Sequence, residues 1–306
     1  MNIPFTKMHG LGNDFILVEE DQLPLDIDLP DLAQRLCNRH FGIGADGLII
    51  VSPPTTADFQ IQMKIYNADG SVAEMCGNGL RCFARYVKDQ GLVTQPAFVV
   101  ETLAGPIKPK INANLMVTVD MGKPILKPAD VPVHMPHRDG KADTDPVLNE
   151  ALHINDELTV FISAVSMGNP HCIIFDQPNQ PAGSWMANWK QLGPIIETHQ
   201  AFPAKTNVHF CRIVNRNLVE VNVWERGAGT TLACGTGACA IAVAGQLNGW
   251  LDETVTIKLP GGPLDITWNG LTNPSSQVVM TGPAAYVFAG MFPIGQTAET
   301  PMAEAL

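Results

Sequence analysis

The sequence has few basic residues: 19 lysines and arginines stand against 30 aspartates and glutamates, which gives a formal net charge of −11. These basic residues form no run. Nucleic acids and anionic membrane surfaces are bound by clustered lysine and arginine, so we expect neither as a partner. The chain also lacks an apolar run of about 18 residues, so no segment is predicted to span a membrane. Met1–Phe5 lacks the basic and apolar regions of a signal peptide, and we expect a cytoplasmic protein.

The usual metal and redox signatures are missing as well. The sequence contains no Cys-x-x-Cys pair and no His-Glu-x-x-His. Its seven cysteines are an odd number without the spacing of a disulfide framework, so we expect thiols in a reducing compartment. We therefore predict no metal site. A redox dithiol stays open as an alternative, although it lacks its usual signature.

A nucleotide-binding pattern occurs in an unsuitable context. Gly42–Gly47 (GIGADG) has the glycine spacing of a dinucleotide-binding loop. Such a loop joins a strand to a following helix, whereas here a predicted helix comes first and a predicted strand follows. We interpret this segment as a tight loop near the substrate and not as a nucleotide site.

The chain does contain an internal repeat. Cys76-Gly77-Asn78-Gly79 in the first half matches Cys234-Gly235-Thr236-Gly237 in the second. Two further pairs recur at nearly the same offset: Gly12–Ile16 with Gly168–Cys172, and Tyr66-Asn67 with Trp224-Glu225. Matching order and spacing along a whole half predict two copies of one domain, which suits a chain of 306 residues.

Each Cys-Gly motif stands at the head of a predicted helix. Unpaired N–H groups and the helix dipole at that position favour a thiolate, so Cys76 and Cys234 are candidate catalytic groups. Two such thiols facing one substrate could move a proton from one face of a carbon to the other. Thr236–Gly249 contains no charged residue, which predicts a helix buried on all sides. A curled, mostly antiparallel sheet around that helix would bury it in this way.

Polar residues near both motifs are candidates for a substrate pocket. Four asparagines either stabilise turns or line a polar pocket: Asn13, Asn67, Asn169 and Asn207. Glu225 and Arg226 form either an exposed ion pair or a charge pair that recognises the amine and carboxylate of an amino acid. His171 is equally suited to a core position and to assisting catalysis.

Together these residues resemble diaminopimelate epimerases, a pyridoxal-independent family that interconverts L,L- and meso-diaminopimelate. The resemblance runs from residue 5 to about residue 290 and rests on several motifs in combination: Lys7–Phe15, Arg39–Gly47, Tyr66–Ser71, Met75–Cys82, Gly168–His171, Thr206–Val208, Trp224–Thr231 and Ala233–Gly237. Some family members carry Gln where this chain has Gly47, so no side-chain contact is carried over to that position.

The resemblance implies a role for each matching residue. Cys76 and Cys234 would be the two acid/base thiols, with His171 and Glu225 as polar neighbours that assist them. The substrate would be held by Asn13, Asn67, Gly77, Asn78, Asn169, Asn207, Glu225, Arg226, Gly235 and Thr236. No cofactor is implied.

The resemblance also implies the architecture. The expected fold is α/β (α+β), with two pseudo-symmetric domains that each curl a mostly antiparallel sheet around a central helix. The first domain would comprise residues 1–128 with a returning strand in 278–306, and the second residues 129–277. Residues 122–150 are interpreted as a linker and a surface loop. A homodimer acting on a small amino-acid substrate is expected.

Other functions share parts of this pattern. A proline or hydroxyproline racemase would use the same two-thiol chemistry, although His is typical there at the position of Asn78. An isomerase of the phenazine-biosynthesis type would share the fold but use a carboxylate base. An amino-acid-binding protein without catalysis, or a disulfide-exchanging redox protein, is also compatible with parts of the pattern, but neither would catalyse these isomerisations.

Overall fold

The computed structural model describes residues 1–135, 138, 140–176 and 187–294. Four helices are described: α1 (Leu29–Cys37), α2 (Gly77–Asp89), α3 (Trp189–Glu197) and α4 (Gly235–Leu247), with short 3₁₀ turns at Glu20–Gln22 and Pro128–Asp130. The strands of the first half are β1 (Asn2–Gly10), β2 (Asn13–Glu19), β3 (Gly47–Ser52), β4 (Ile61–Asn67), β5 (Val72–Ala73), β6 (Val100–Thr102), β7 (Gly105–Ile107), β8 (Lys110–Ile111) and β9 (Val117–Asp120). Those that follow are β10 (Glu150–His153), β11 (Thr159–Ser166), β12 (Pro170–Asp176), β13 (Asn207–Asn215), β14 (Leu218–Glu225), β15 (Gly229–Thr230), β16 (Thr254–Leu259), β17 (Gly262–Thr267), β18 (Val279–Gly282) and β19 (Ala285–Pro293).

The chain divides into two compact units. Among the described residues, the first comprises 1–9, 13–107 and 285–294, and the second comprises 10–12 and those that lie between 108 and 284. These limits differ from the sequence-based ones, because β8, β9 and β18 hydrogen-bond within the second sheet. The strand that returns to the first unit is β19, which pairs antiparallel with β1.

The two sheets share one order of pairing. The first runs β19-β1-β2-β3-β4-β6-β7, with β5 beside β4, and the second runs β10-β11-β12-β13-β14-β16-β17-β18-β9-β8, with β15 beside β14. In the first, β2 and β3 are parallel, β3 and β4 antiparallel, and β4 and β6 parallel across α2. In the second, β12, β13, β14 and β16 repeat these three relations across α4. The predicted fold class, a mixed α+β chain of two sheet-dominated domains, is therefore confirmed.

The helix that follows each cysteine is buried against its own sheet. Helix α4 contacts β11, β12, β13, β16, β17 and β18, and every residue from Gly237 to Gln246 is buried. This enclosure explains why its sequence carries no charge. Helix α2 packs on β2 and β3 and buries one charged side chain completely, that of Arg81.

Several valines of the segment 122–150 contribute to the core of the second unit. Val131, Val133 and Val147 are almost fully buried in the core of the second unit, beside strands β11 to β13 and helix α3. The sequence predicts a linker and a surface loop here, because the segment is rich in Pro, Asp and His and its periodicity is poor. Isolated valines between polar residues can still fill a core when no regular element presents them.

No helix in the described part of the chain combines the length and the apolar character that a membrane crossing requires.

Candidate active site

Cys76 occupies the N-cap position of α2. Its backbone is extended, and its carbonyl accepts the first helical hydrogen bond from Leu80 N at 2.8 Å. The sulfur is half-buried, and its thiol points to Asn13 Oδ1 at 3.8 Å. Because the first N–H groups of a helix have no partner within it, the start of α2 offers donors beside this sulfur.

A hydrogen-bonded chain links Cys76 to a buried cation within the first unit. Asn13 Oδ1, which accepts from the Cys76 thiol, also accepts from Asn78 Nδ2 at 3.1 Å. Asn78 Oδ1 in turn accepts from Arg81 Nη2 at 2.8 Å, and Arg81 also donates to Gly77 O at 3.3 Å. Arg81 therefore fixes the orientation of the Asn78 amide, and Asn78 fixes that of Asn13.

An ion network supports Asn13 from its other side. Asn13 Nδ2 donates to Asp46 Oδ2 at 2.8 Å, and Arg39 bridges Asp46 and Asp14 at 2.7 Å to each. Lys7 Nζ lies 2.9 Å from Asp14 Oδ2. Burial alone would raise the pKa of Asp14, but the hydrogen bonds from Arg39 and Lys7 outweigh it and lower that pKa to about 2.

Asn67, another candidate of the first unit, lies at the same end of the sheet as Asn13. Asn13 begins β2, Gly47 begins the parallel strand β3, and Asn67 ends the antiparallel strand β4 opposite Gly47. Asn67 is exposed and donates to Ser71 Oγ at 2.9 Å. Adjacent strands therefore bring together polar residues that are far apart in sequence.

Cys234 occupies the equivalent position on α4. It is the N-cap residue with an extended backbone, but it is only 4% exposed. Thr236 Oγ1 lies 3.7 Å from its sulfur. Burial raises the pKa of Cys234 well above its usual range, and the negative charge of Glu225 raises it further. The hydrogen bond from the Gly237 N–H lowers this pKa, but by less. The neutral thiol is therefore the favoured form of Cys234.

The strand ends of the second unit also gather the predicted polar residues. Asn169 precedes β12, Asn207 begins β13, and Glu225 ends β14. Asn207 donates to Pro170 O at 2.9 Å and accepts from the backbone N–H of Arg226 at 3.0 Å. Glu225 accepts from the Thr231 hydroxyl at 2.5 Å. Arg226 is exposed and donates to Ala204 O at 2.9 Å.

His171 belongs to a buried pair that the sequence did not reveal. Its Nδ1 lies 2.9 Å from His209 Nε2, and its Nε2 lies 2.9 Å from Asn169 Oδ1. Both rings are fully buried. Burial lowers the pKa of His209 to about 3 and lowers that of His171, which also lies near His209 and the positive charge of Arg226. Both histidines are therefore neutral at physiological pH.

His209 also reaches the start of α4. A Cβ atom added to Gly237 would lie 2.3 Å from His209 Cε1 and 3.0 Å from Cys234 Sγ. One ring nitrogen of each histidine and the Cys234 sulfur lie within 4.8 Å of one another, close enough to hold a metal ion. The second glycine of the motif thus makes room for the imidazole beside the thiol.

Sequence reasoning missed three groups at these sites. The sequence assigns no role to Arg81, to the network of Lys7, Asp14, Arg39 and Asp46, or to His209. One signal for His209 was available. It is two residues after Asn207 on a predicted strand, so both side chains share a face. His171 and His209 are 38 residues apart, and no local spacing could pair them.

The two sites have the parts required for acid–base chemistry at a carbon next to a carboxylate. Each offers a cysteine at a helix N-terminus, where N–H groups can bind an anion. In each unit, amide and charged groups also stand at the ends of three neighbouring strands. All seven cysteines lie in the described part of the chain, and none is in a disulfide.

The protein-family model described as diaminopimelate epimerase matches this chain over residues 5–127 and 163–287. The chain is 48% identical over 296 residues to a diaminopimelate epimerase of Moorella thermoacetica, covering 95% of this chain and 99% of that one. It is 49% identical over 290 residues to one of Carboxydothermus hydrogenoformans, covering 94% and 98%.

Solved structures with the same fold are more distant in sequence. A phenazine biosynthesis protein of the PhzF family from Bacillus anthracis superposes with a TM-score of 0.67 at 14% identity, covering 96% of this chain and all of that one. A probable proline racemase from Agrobacterium radiobacter gives 0.64 at 15%, covering 97% and 94%. These likenesses establish the fold, whereas the sequence matches establish the family. The chain belongs to the diaminopimelate epimerase family.

Proposed function

We propose that this protein, an isomerase, interconverts L,L- and meso-2,6-diaminopimelate by moving a proton at one α-carbon between two cysteines. One cysteine would remove the proton from one face, and the other would deliver a proton to the opposite face. The observation that carries the proposal is the recurrence of a cysteine at the N-cap of a buried helix in both halves of a repeat, Cys76 and Cys234.

The main barrier is the weak acidity of a carbon–hydrogen bond next to a carboxylate. Negative charge spreads onto that carboxylate as the proton leaves. Oriented N–H groups at the starts of α2 and α4 would stabilise this charge without reorganisation, which is often the largest contribution to catalysis. This stabilisation, together with exclusion of water, would allow the reaction to proceed without a cofactor.

The two thiols would start from different protonation states. Burial and the carboxylate of Glu225 favour the neutral form of Cys234, which suits it to donate a proton first. Cys76 is less buried than Cys234 and lies at the start of α2, where N–H groups are unpaired, so it would then be the first base. Two thiols that act on one substrate would ionise as a coupled pair, so their roles would exchange when the reaction runs in reverse.

The polar residues around each cysteine would hold the substrate. The backbone of Gly77 and Gly235 and the side chains of Asn78 and Thr236 lie in the first turn of each helix and would be beside the reacting centre. The amides and charges at the strand ends would bind the remaining amino-acid groups: Asn13, Asn67, Asn169, Asn207, Glu225 and Arg226. His171 would support Asn169, whose Oδ1 it already contacts.

The biological setting follows from this reaction. Meso-diaminopimelate would serve lysine and peptidoglycan precursor synthesis. A cytoplasmic location would keep the cysteines reduced, in line with the absence of disulfides among all seven.

A homodimer is part of the proposal. Strand β19 lies at the edge of the first sheet and exposes several large apolar side chains, Tyr286, Val287, Phe288 and Met291. An apolar edge strand of this kind favours pairing with another chain. Sedimentation equilibrium of the full chain should give twice the monomer mass; a monomer at micromolar concentration would contradict this part.

The reaction is tested by proton NMR in D₂O with reduced protein. L,L-diaminopimelate, L-proline and trans-4-hydroxy-L-proline are incubated separately. We expect deuterium to enter an α-position of diaminopimelate as the meso form appears, while both prolines stay unchanged. Exchange only in a proline would transfer the mechanism to a racemase of that class. Exchange in none of the three would contradict an epimerase and favour a binding or redox protein.

A further inference from the structure

The second unit contains a cluster of three buried side chains with the ligand chemistry of a metal site. They are His171 at the start of β12, His209 on β13 and Cys234 at the N-cap of α4, with potential ligand atoms within 4.8 Å of one another. We propose that this cluster binds a soft divalent transition-metal ion of the Zn²⁺ class, through Cys234 Sγ and the two imidazole nitrogens that face each other. Two nitrogens and a thiolate sulfur are typical zinc ligands.

Hydrogen bonding fixes which nitrogen of each ring carries the proton. Asn169 Oδ1 can only accept, so His171 Nε2 is the donor in that contact. In neutral His171, Nδ1 then carries no proton, and its lone pair accepts a hydrogen bond from His209 Nε2–H at 2.9 Å. His171 therefore already presents a lone pair to the cluster while its other nitrogen donates to an amide oxygen. Metal-binding histidines are commonly held in this way.

His209 can change tautomer at little cost. Its Nδ1 is buried and has no hydrogen-bond partner among the described residues. When a metal replaces the proton between the two rings, that proton can move from Nε2 to Nδ1 of His209 without breaking a bond there. The Cys234 thiol gives its proton to solvent. One metal ion thus binds with the net release of one proton, and the two histidines stay neutral.

The geometry needs only a small adjustment. Zinc–nitrogen bonds of about 2.0–2.1 Å at tetrahedral angles place two ligand nitrogens about 3.3 Å apart, against 2.9 Å between the facing nitrogens here. The ion and the thiolate together carry one positive charge, which the nearby carboxylate of Glu225 would offset. Three protein ligands leave a fourth coordination position for water or a substrate carboxylate.

Binding would have a functional consequence, which rests on the proposed function. A Cys234 thiolate that is bound to a metal cannot exchange a proton with the substrate carbon. The ion would therefore act as a reversible inhibitor, removable by a chelator. The metal site itself does not depend on the reaction, so it can be tested without substrate.

The test is a Co²⁺ titration of the reduced, chelator-treated full chain, followed by absorption spectroscopy. We expect one equivalent of Co²⁺ to give a thiolate-to-metal charge-transfer band together with the visible bands of a tetrahedral ion, and Zn²⁺ to displace it. Two repeat-related variants provide the matched comparison. Cys76→Ser should keep the band, whereas Cys234→Ser should lose it.

The histidine ligands are tested by a second pair of variants. His209→Asn keeps a donor for His171 but removes the ligand, and should weaken Co²⁺ binding by about 100-fold or more. Cys211→Ala, two residues further along the same face of β13, should bind as the unmodified protein does. Near-UV circular dichroism checks that each variant is folded. If His209→Asn does not fold, the metal site is tested by Cys76→Ser and Cys234→Ser alone.

Three results would overturn the metal site. They are no charge-transfer band in the unmodified protein, a band that survives in Cys234→Ser, and a band lost in Cys76→Ser, which would mean that the two cysteines hold the ion. A protein that binds Co²⁺ as expected but leaves diaminopimelate unchanged would refute the proposed function and leave this site standing.

Discussion

The two cysteine sites are built on the same frame and differ in what surrounds the sulfur. In both units a cysteine begins a buried helix, and polar residues stand at the ends of three neighbouring strands. Cys76 is half-buried and is linked through two amides to the buried cation Arg81. Cys234 is buried beside a carboxylate and two neutral imidazoles. The repeat has therefore kept the same backbone geometry at the start of each helix, while the side chains around the two sulfurs differ.

This comparison predicts that both thiols are required in spite of their difference. Cys76→Ser and Cys234→Ser should each lower turnover by about 10³-fold or more, because a serine hydroxyl ionises far less readily and acid–base transfer contributes roughly 10²–10⁴. Turnover is followed by the appearance of meso-diaminopimelate. Cys82→Ser and Cys211→Ser, at buried positions away from the helix starts, should stay within about tenfold of normal. Near-normal turnover in either active-site variant would refute the two-thiol mechanism.

The sequence predicted the frame of these sites better than their surroundings. Helix starts, strand alternation and the internal repeat are local patterns, and the repeated Cys-Gly-x-Gly placed both thiols correctly at helix N-termini. The start of α1 follows a local pattern as well. Asp28 caps the helix, and Pro30 lies in its first turn, where no N–H is needed.

Non-local contacts account for the features that the sequence did not reveal. His209 meets His171 because parallel strands β12 and β13 lie side by side, and it meets Cys234 because α4 packs on that sheet. The valines of 122–150 are buried by strands and a helix that come later in the chain. Such proximity depends on tertiary packing, and a single sequence contains no periodic signal for it.

The second glycine of each motif provides a stability test of the comparison. In Gly237→Ala the new methyl group would overlap the His209 ring, with 2.3 Å to Cε1, and should cost about 1–3 kcal/mol of unfolding free energy. In Gly79→Ala the nearest atoms are the tip of Ile49 at 3.2 Å and Phe15 at 3.3 Å, and better helix propensity of about 0.5–1 kcal/mol should offset this crowding. Urea unfolding measures both. Equal losses would mean that His209 does not restrict the start of α4.

The ion network belongs to the first site, and Pro170 stands in the repeat where Asp14 stands in the first half. The folded-state pKa of Asp14, about 2, lies below its usual value of 3.8, so its stabilising effect is complete above about pH 4 and is lost as the pH falls toward 2. Because Arg39 is half-exposed, we expect Asp14→Asn to cost only about 1–2 kcal/mol at pH 7. Urea unfolding at pH 7 and pH 2 should show this difference only at pH 7. A loss that persists at pH 2 would indicate a packing defect instead.

The smallest expected effect concerns the carboxylate beside Cys234. Burial is the largest cause of the raised pKa of this thiol, and the charge of Glu225 adds to it. Glu225→Gln removes the charge but not the burial, so the pKa of Cys234 should fall in part and its thiolate fraction at neutral pH should rise. Iodoacetamide labelling of Cys234, followed by peptide mass spectrometry in the presence of a chelator, should become several-fold faster. Glu220→Gln, on the same strand but paired with Arg212 and Lys258 at the surface, should leave the rate unchanged. If Glu225→Gln labels no faster than Glu220→Gln, burial alone distinguishes the second thiol from the first, and the contrast between the two sites lies in solvent access and not in charge.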